Sequence, residues 1–309
     1  MSALPPDPDA AALLKQLTGE LDNFQNIARY LVPQPGDLPR LAGIDVWGGI
    51  LPLSGSVGGD HIIYVDFKQR FDLQARMKQA GDDGRPDVVT NLDRCQRMAG
   101  IAVIDVAGHR VTDALLAAML HQGFLVGALY ELDMFGMITQ RLFENLNTRL
   151  YQSSGANKFV SLMYGEISED ATFRFLSAGQ PFPTVFSRRH DRFMEVSPDL
   201  CVSFPPLGMQ PSLDAIDRRK TPASRLGFKD EYEVNEWRLM GAGDILLLHT
   251  DGLVEHARGD EPYFPRHLER KVREVKDAGA REIFEAIKTD LLAFTSPSDD
   301  ISLVVIKLK

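Results

Sequence analysis

The sequence predicts an α+β fold in which two packed antiparallel β-sheets are flanked by helix pairs. Three observations predict it. Apolar runs of strand length recur at residues 44–51, 62–67, 101–104, 159–167, 172–177, 184–187, 245–249 and 301–308. Two pairs of helical stretches separate groups of these runs, one from Val111 and one from Arg266. Hydrophobic residues make up 44% of the 309-residue chain, enough for a substantial core. Two sheets that bury one face against each other need helices over their outer faces.

The elements follow in order. Residues 1–9 are Pro-rich and predict a loose terminus. Residues 10–31 predict a helix, with Leu13, Leu14, Leu17, Leu21, Phe24, Ile27 and Leu31 at near-heptad spacing. That stripe fits either packing on its own domain or a homodimer-forming or signal-transmitting helix. Pro33-Gln-Pro-Gly36 ends it, so residues 1–40 read as an N-terminal extension and 41–309 as the main domain. A charged insert, residues 68–98, separates the second and third strands. Gly81-Asp-Asp-Gly-Arg-Pro86 splits it into two short helical halves.

After the 101–104 strand a helix is expected to run from Val111 to about Tyr130, then a second over 132–151 with a break near Gly136. The connection 207–230 is long and carries Arg218-Arg-Lys220 and Arg225. A solvated loop is the favoured reading of it, a docking surface for an acidic or phosphorylated partner the alternative. A strand is expected over 232–239, and two helices over 266–276 and 280–294.

Composition excludes several classes. The net charge of −9 argues against nonspecific nucleic-acid binding and against anionic membranes. The N-terminus lacks the basic and apolar regions of a signal peptide, and no apolar run looks long enough to span a bilayer. Cys95 and Cys201 lack metal or redox spacing and read as free thiols in a reducing cytoplasm. Ser54-Gly-Ser-Val-Gly58 is neither an acyl-hydrolase elbow nor a nucleotide-binding loop.

The chemistry sits at the strand ends. Asp60 opens the 61–65 run, Asp105 closes the 101–104 run, Asp251 follows 245–249, and Asp299-Asp300 precede the last strand. Each alone reads as a cap or turn residue. If the four ends converge, like charges repel and some carboxylates protonate. Two divalent cations would resolve that conflict, and oxygen-only donors suit Mg²⁺ or Mn²⁺ rather than Zn²⁺.

At these residues the chain resembles the metal-dependent protein serine/threonine phosphatases (PPM, type 2C), in their stage II sporulation E branch. The resemblance is carried by Gly58-Gly-Asp60, Ile104-Asp-Val-Ala-Gly-His-Arg110, Phe159-Val-Ser-Leu-Met-Tyr-Gly165, Ser177-Ala-Gly-Gln-Pro181, Pro205-Pro-Leu-Gly208, Thr250-Asp-Gly252 and Asp299-Asp-Ile-Ser302, in the family's order. It implies an α-β-β-α sandwich that hydrolyses phosphoserine or phosphothreonine on a protein such as an anti-anti-sigma factor, with water as nucleophile.

The resemblance implies metal ligands at Asp60, Asp105, the Val106 carbonyl, Asp251 and Asp299. It also offers two catalytic candidates. His109 is either a structural histidine or a proton donor to the leaving oxygen. Arg110, where the family has Gly, could contact the phosphoryl group or an aspartate. Gln180 stands where the family has His, which leaves the role of that motif open. The rival function is a noncatalytic phosphatase-like module that binds a phosphoprotein or regulates a kinase. All four aspartates being present favours the enzyme.

Overall fold

A computed structural model describes residues 8–28, 33, 35–53, 58–108, 111–153, 158–213, 219, 221–222, 224–238 and 241–309. The first part of the chain forms α1 (Pro8–Ala28), β1 (Ile44–Leu51), β2 (Asp60–Asp66), α2 (Phe67–Arg70), α3 (Leu73–Asp82), α4 (Pro86–Cys95) and β3 (Met98–Val106). The middle forms α5 (Val111–Phe135), α6 (Gln140–Ser153), β4 (Val160–Ser168), β5 (Phe173–Ala178), β6 (Thr184–Ser187), β7 (Arg192–Phe193), β8 (Ser203–Phe204) and β9 (Asn235–Trp237). The last part forms β10 (Ile245–His249), α7 (Asp251–Glu255), β11 (Ala257–Arg258), β12 (Glu261–Pro262), α8 (Arg266–Val275), α9 (Ala280–Phe294) and β13 (Ile301–Leu308).

Two main sheets result. One runs β1-β13-β10-β6-β7, the other β2-β3-β4-β5-β8 with β9 also paired to β5. Pairing is antiparallel throughout except for the short β5–β8 contact. Strand alternation assigns the layers. Ile62, Tyr64, Ile101, Val103 and Met163 face the other sheet and meet Leu246, Leu248, Val304 and Ile306. The opposite residues of β2–β4, such as Ile63, Val65, Ala102 and Ile104, pack under α3–α6. The outer face of the other sheet, with Leu247, Leu303 and Val305, packs under α8 and α9. The four-layer α-β-β-α sandwich expected from the sequence is therefore the fold.

Several boundaries differ from expectation. The first long helix runs past Tyr130 to Phe135 and stops at Gly136, whose φ is +70°. A side chain at Gly136 would also meet the Val88 carbonyl at 2.4 Å, so the insert and the helix break are fitted to one another. The strand expected over 232–239 is only Asn235–Trp237. The helix expected over 10–31 is described as Pro8–Ala28; residues 29–31 lie outside the described residues. Among the described residues one helix, Leu115–Phe135 with mean hydropathy 1.4, is long and apolar enough by length and composition to cross a membrane, which corrects the expectation that none is. The polar residues His121, Gln122, Glu131 and Asp133 broke the run in the sequence and hid it.

The described parts of the two long connections are structured. The insert folds as α2–α4, and its Leu73, Ala80, Val88, Leu92 and Cys95 are buried in the same core as α5 and β3. It leaves after Asp66 and returns at Met98, the end of the β2–β3 pair remote from Asp60 and Asp105. The solvated reading of 207–230 is corrected at its C-terminal end. Lys229 is almost fully buried and bonds both carboxylate oxygens of Glu144 on α6, at 2.8 and 3.0 Å. Its ammonium lies 3.3 Å from the centre of the Tyr232 ring. Asn147 donates to the Gln210 carbonyl and accepts from the Gly208 N–H. The connection is thus tied to α6, while Arg219 and Arg225 remain exposed.

Candidate metal centre

Register and alternation build the site. Asp60 pairs with Asp105 across β2–β3, and Asp105 with Ser161 across β3–β4. All three have the parity of the residues that face the second sheet. From that second sheet, Thr250 follows β10 and Ser302 lies on β13. The Thr250 hydroxyl donates to the Asp60 carboxylate at 2.8 Å, and the Ser302 N–H donates to the Thr250 hydroxyl oxygen at 3.0 Å. The site therefore lies between the two sheets, at one end of the sandwich.

The turn glycines permit close approach. A side chain at Gly59 would lie 2.4 Å from the Gly108 carbonyl oxygen and 2.8 Å from that of Val106. Gly59 and Val106 are joined in turn by an N–H···O bond of 3.3 Å from Val106. Gly-Gly-Asp is thus required because the Val106 carbonyl is pressed against this backbone. Lys158 donates to the Ala107 carbonyl at 3.0 Å and pairs with the buried Asp113 at the start of α5, fastening that helix to the same turn.

Asp299 and Asp300 divide the labour. Asp300 is buried and accepts from Leu53 N–H at 2.6 Å and Gly59 N–H at 2.7 Å, so it braces both ends of the connection between β1 and β2. Asp299 accepts the Asp300 N–H and is left half-buried. Asp251 opens α7 directly after β10.

Electrostatics mark the four ends as one cluster. Burial and then the neighbouring Asp105 raise the Asp60 carboxyl well above its ordinary range. Burial, then Asp251, with Asp299 and Asp300 behind it, push Asp105 up to about 7, while the Ser161 hydroxyl opposes the shift. Burial and then Asp299 raise Asp251. The cause is the one the sequence suggested: carboxylates facing one another in a poorly solvated place. Among the described residues no three potential ligand side chains are drawn into a tight cluster. Like charges do not close on one another without a counter-charge. The donor set is all oxygen and negatively charged, and it fits a hard divalent cation.

The structure thus brings Asp60, Asp105, Val106, Asp251 and Asp299 to one end of the sandwich. His109 and Arg110 lie outside the described residues. Sequence reasoning missed Ser161, Thr250, Lys158 and the bracing role of Asp300. Thr250 and Ser161 stood within recognised motifs, so their positions, though not their bonds, were visible. Gln180, left without a role in the sequence, donates from Nε2 to the Ser161 hydroxyl oxygen at 2.9 Å.

The SpoIIE family profile, described as Stage II sporulation protein E, matches residues 96–309. The chain belongs to this family. Its SpoIIE-family portion runs from the end of the insert to the last strand, and the site aspartates Asp105, Asp251 and Asp299 fall inside it. A Bacillus subtilis protein named phosphoserine phosphatase RsbU is 23% identical over 214 residues, which is 68% of this chain and 55% of that protein.

Among solved structures, the RsbU and RsbW domains of a Mycobacterium tuberculosis protein superpose with a TM-score of 0.59 at 19% identity, covering 88% of this chain and 61% of theirs. The PP2C phosphatase domain of Bacillus subtilis SpoIIE, with a fragment of its regulatory domain, gives 0.57 at 16% identity, over 86% and 64%. The SiaA-PP2C domain of Pseudomonas aeruginosa gives 0.62 at 15% identity, over 97% and 100%. These likenesses establish a PP2C-type fold. The SpoIIE-family chain spans little more than half the length of the curated relative it matches.

Proposed function

We propose that the chain is a protein serine/threonine phosphatase that depends on two divalent cations, Mn²⁺ or Mg²⁺. The observation that carries this reading is the convergence of four strand-end aspartates, of which Asp60, Asp105 and Asp251 have carboxyls raised by burial and by neighbouring acids. Asp60, Asp105, Asp251, Asp299 and the Val106 carbonyl would hold the cations. When bound, such ions activate water and shield phosphoryl charge. The chain's own groups do the positioning. Thr250 holds Asp60, Ser161 holds Asp105, and Asp300 fixes the Gly59 turn. His109 as proton donor to the leaving oxygen and Arg110 as a phosphoryl contact belong to the same proposal on sequence grounds.

The substrate in this reading is a phosphoserine or phosphothreonine on a cytoplasmic signalling protein such as an anti-anti-sigma factor. The name of the Bacillus subtilis relative, phosphoserine phosphatase, supports the residue type. Purified protein stripped with a chelator should not hydrolyse a phenyl phosphate or a phosphoserine peptide, and Mn²⁺ or Mg²⁺ should restore both activities. Turnover that is indifferent to chelation overturns the reading. Metal binding without turnover returns the noncatalytic alternative.

Two further assignments stand with this proposal. Residues 1–40 are an extension to a phosphatase domain at 41–309. Within the extension, the exposed Leu13, Leu14 and Leu17 of α1 support a homodimer contact through residues 10–31, while its contact with α5 is what packing on its own domain would give. Sedimentation should give a dimer for the full chain and a monomer for a chain starting at Leu38. Two monomers at micromolar concentration would leave α1 as packing on its own domain.

A further inference from the structure

We infer that Gln180 is a positioning residue: its amide fixes the direction of the Ser161 hydroxyl and so holds the Asp105 carboxylate for the metal centre. The hydrogen-bond chain is independent of function, but its consequence rests on the metal-centre reading above.

The turn Ser177-Ala-Gly-Gln-Pro181 is built to hold this side chain in place. Gly179 has φ +80° and bridges to Leu162 on β4. A side chain there would also meet the Pro206 ring at 2.5 Å. The Ser177 hydroxyl donates to the Gln180 carbonyl at 2.9 Å and closes the turn. Gln180 is only 4% exposed, so its amide has no alternative partner in water.

Proton counting sets the direction of the chain. Ser161 Oγ lies 3.1 Å from Asp105 Oδ2 and 3.2 Å from the Asp105 carbonyl oxygen. Both of these are acceptors when the carboxylate is ionised, and a hydroxyl has one proton to give. Ser161 must therefore donate toward Asp105, and the bond from Gln180 must reach a Ser161 lone pair. Nε2 supplies it at 2.9 Å. An acceptor in place of that N–H would draw the Ser161 proton away and turn its lone pairs toward Asp105. The amide thus locks a single-proton rotor.

A second observation agrees. Gln180 Oε1 is buried and, among the described residues, has no hydrogen-bond partner. A buried amide oxygen left unpaired is a cost to the fold. A side chain selected for packing alone would not carry it. Holding Nε2 on Ser161 accounts for it, because turning the amide over would satisfy Oε1 only by reversing the Ser161 bond.

The test is Mn²⁺ affinity of the full chain, measured by calorimetry, alongside turnover. Gln180→Met, which removes the donor, should weaken Mn²⁺ binding about tenfold or more, as loss of a group supporting a ligand does elsewhere. Gln180→His retains an N–H donor and should recover most of that loss. Gln180→Glu, at a pH where it is ionised, should be worse than Gln180→Met because it reverses the Ser161 proton. In a Ser161→Ala background Gln180→Met should add less than about twofold, since the two act through one bond. The inference is overturned if Gln180→Met and Gln180→Glu bind Mn²⁺ like the unaltered chain, or if the Ser161 and Gln180 losses simply multiply. An unaltered chain that binds no Mn²⁺ at all overturns the metal-centre reading itself, and this inference with it.

Discussion

Asp60 and Asp66 open and close the same strand, and both are buried. Their surroundings differ completely. Asp66 accepts the Gln69 N–H at 3.0 Å, the Gln69 side-chain amide at 2.6 Å and the Arg40 N–H at 2.9 Å. It caps α2 and ties the chain before β1 to the strand. Asp60 has the Thr250 hydroxyl, and directly across from it another carboxylate, Asp105. A buried acid with N–H donors on both oxygens is a structural part. One that faces other acids leaves charge unanswered, and a ligand must answer it. Burial of an aspartate is therefore uninformative until its partners are counted.

The comparison can be broken most directly at the acidic end. Asp251→Asn removes one charge of the proposed metal centre with little change of shape, so turnover should fall about a hundredfold or more, the thermal midpoint staying near that of the unaltered chain. A variant with normal turnover in Mn²⁺ would erase the distinction between the two ends.

The remote end offers a titratable contrast. Glu166 on β4 is buried, and its carboxyl is pushed up to about 7, chiefly by desolvation, although Tyr164 donates to it at 2.9 Å. A raised folded pKa means its contribution is fully present below the unfolded value near 4.3 and is lost as pH rises through about 7. Glu166→Gln should therefore flatten the decline of stability between pH 5 and 8 and raise stability at pH 8 by about 3 kcal/mol. Denaturant melts of the two proteins across that range check it; parallel pH curves would show that Glu166 is already answered by Arg174, its cross-strand neighbour on β5.

Asp66→Ala should cost about 2–3 kcal/mol of stability, because it strands buried donors and removes a cap. Turnover per folded molecule should stay within about twofold. A large loss of turnover with unchanged stability would reverse the roles assigned to the two acids. The smallest effect belongs to Thr250→Val, which removes the hydroxyl bond to Asp60 and the acceptor of the Ser302 N–H and should cost about 1–2 kcal/mol while weakening Mn²⁺ binding measurably. No change in Mn²⁺ affinity would mean Asp60 is positioned by its strand alone.

Much of this was legible in the sequence because it is local. The strand-end aspartates stood in short motifs, and the layers followed from period-two alternation and from two helix pairs. What escaped is what depends on distant partners. Nothing local says that Lys229 will bury itself on Glu144, or that Asp66 will bond Arg40 while Asp60 will not. Asp299 and Asp300 are neighbours of identical type; only the position of Gly59 and Leu53 tells them apart. The strands β7, β8, β11 and β12 are two residues long, too short to carry a period. The substituted Gln180 looked like a lost motif because its partner, Ser161, is on another strand.

The place where the insert joins the sheet has a consequence for how such chains diversify. From Asp60↔Asp105 to Asp66↔Ala99 the strands are continuously paired. At about 3.3 Å per residue that ladder is a ruler of roughly 20 Å between the acids and the connection. The entropy of closing a loop grows only logarithmically, about 0.6 kcal/mol for each doubling of its length. An added stretch that buries its own leucines and valines, as α3 and α4 do, offsets even that. Length can therefore be gained or lost at one end of the ladder while the aspartates at the other keep their register. What a chain of this fold touches can drift without disturbing what it does to it.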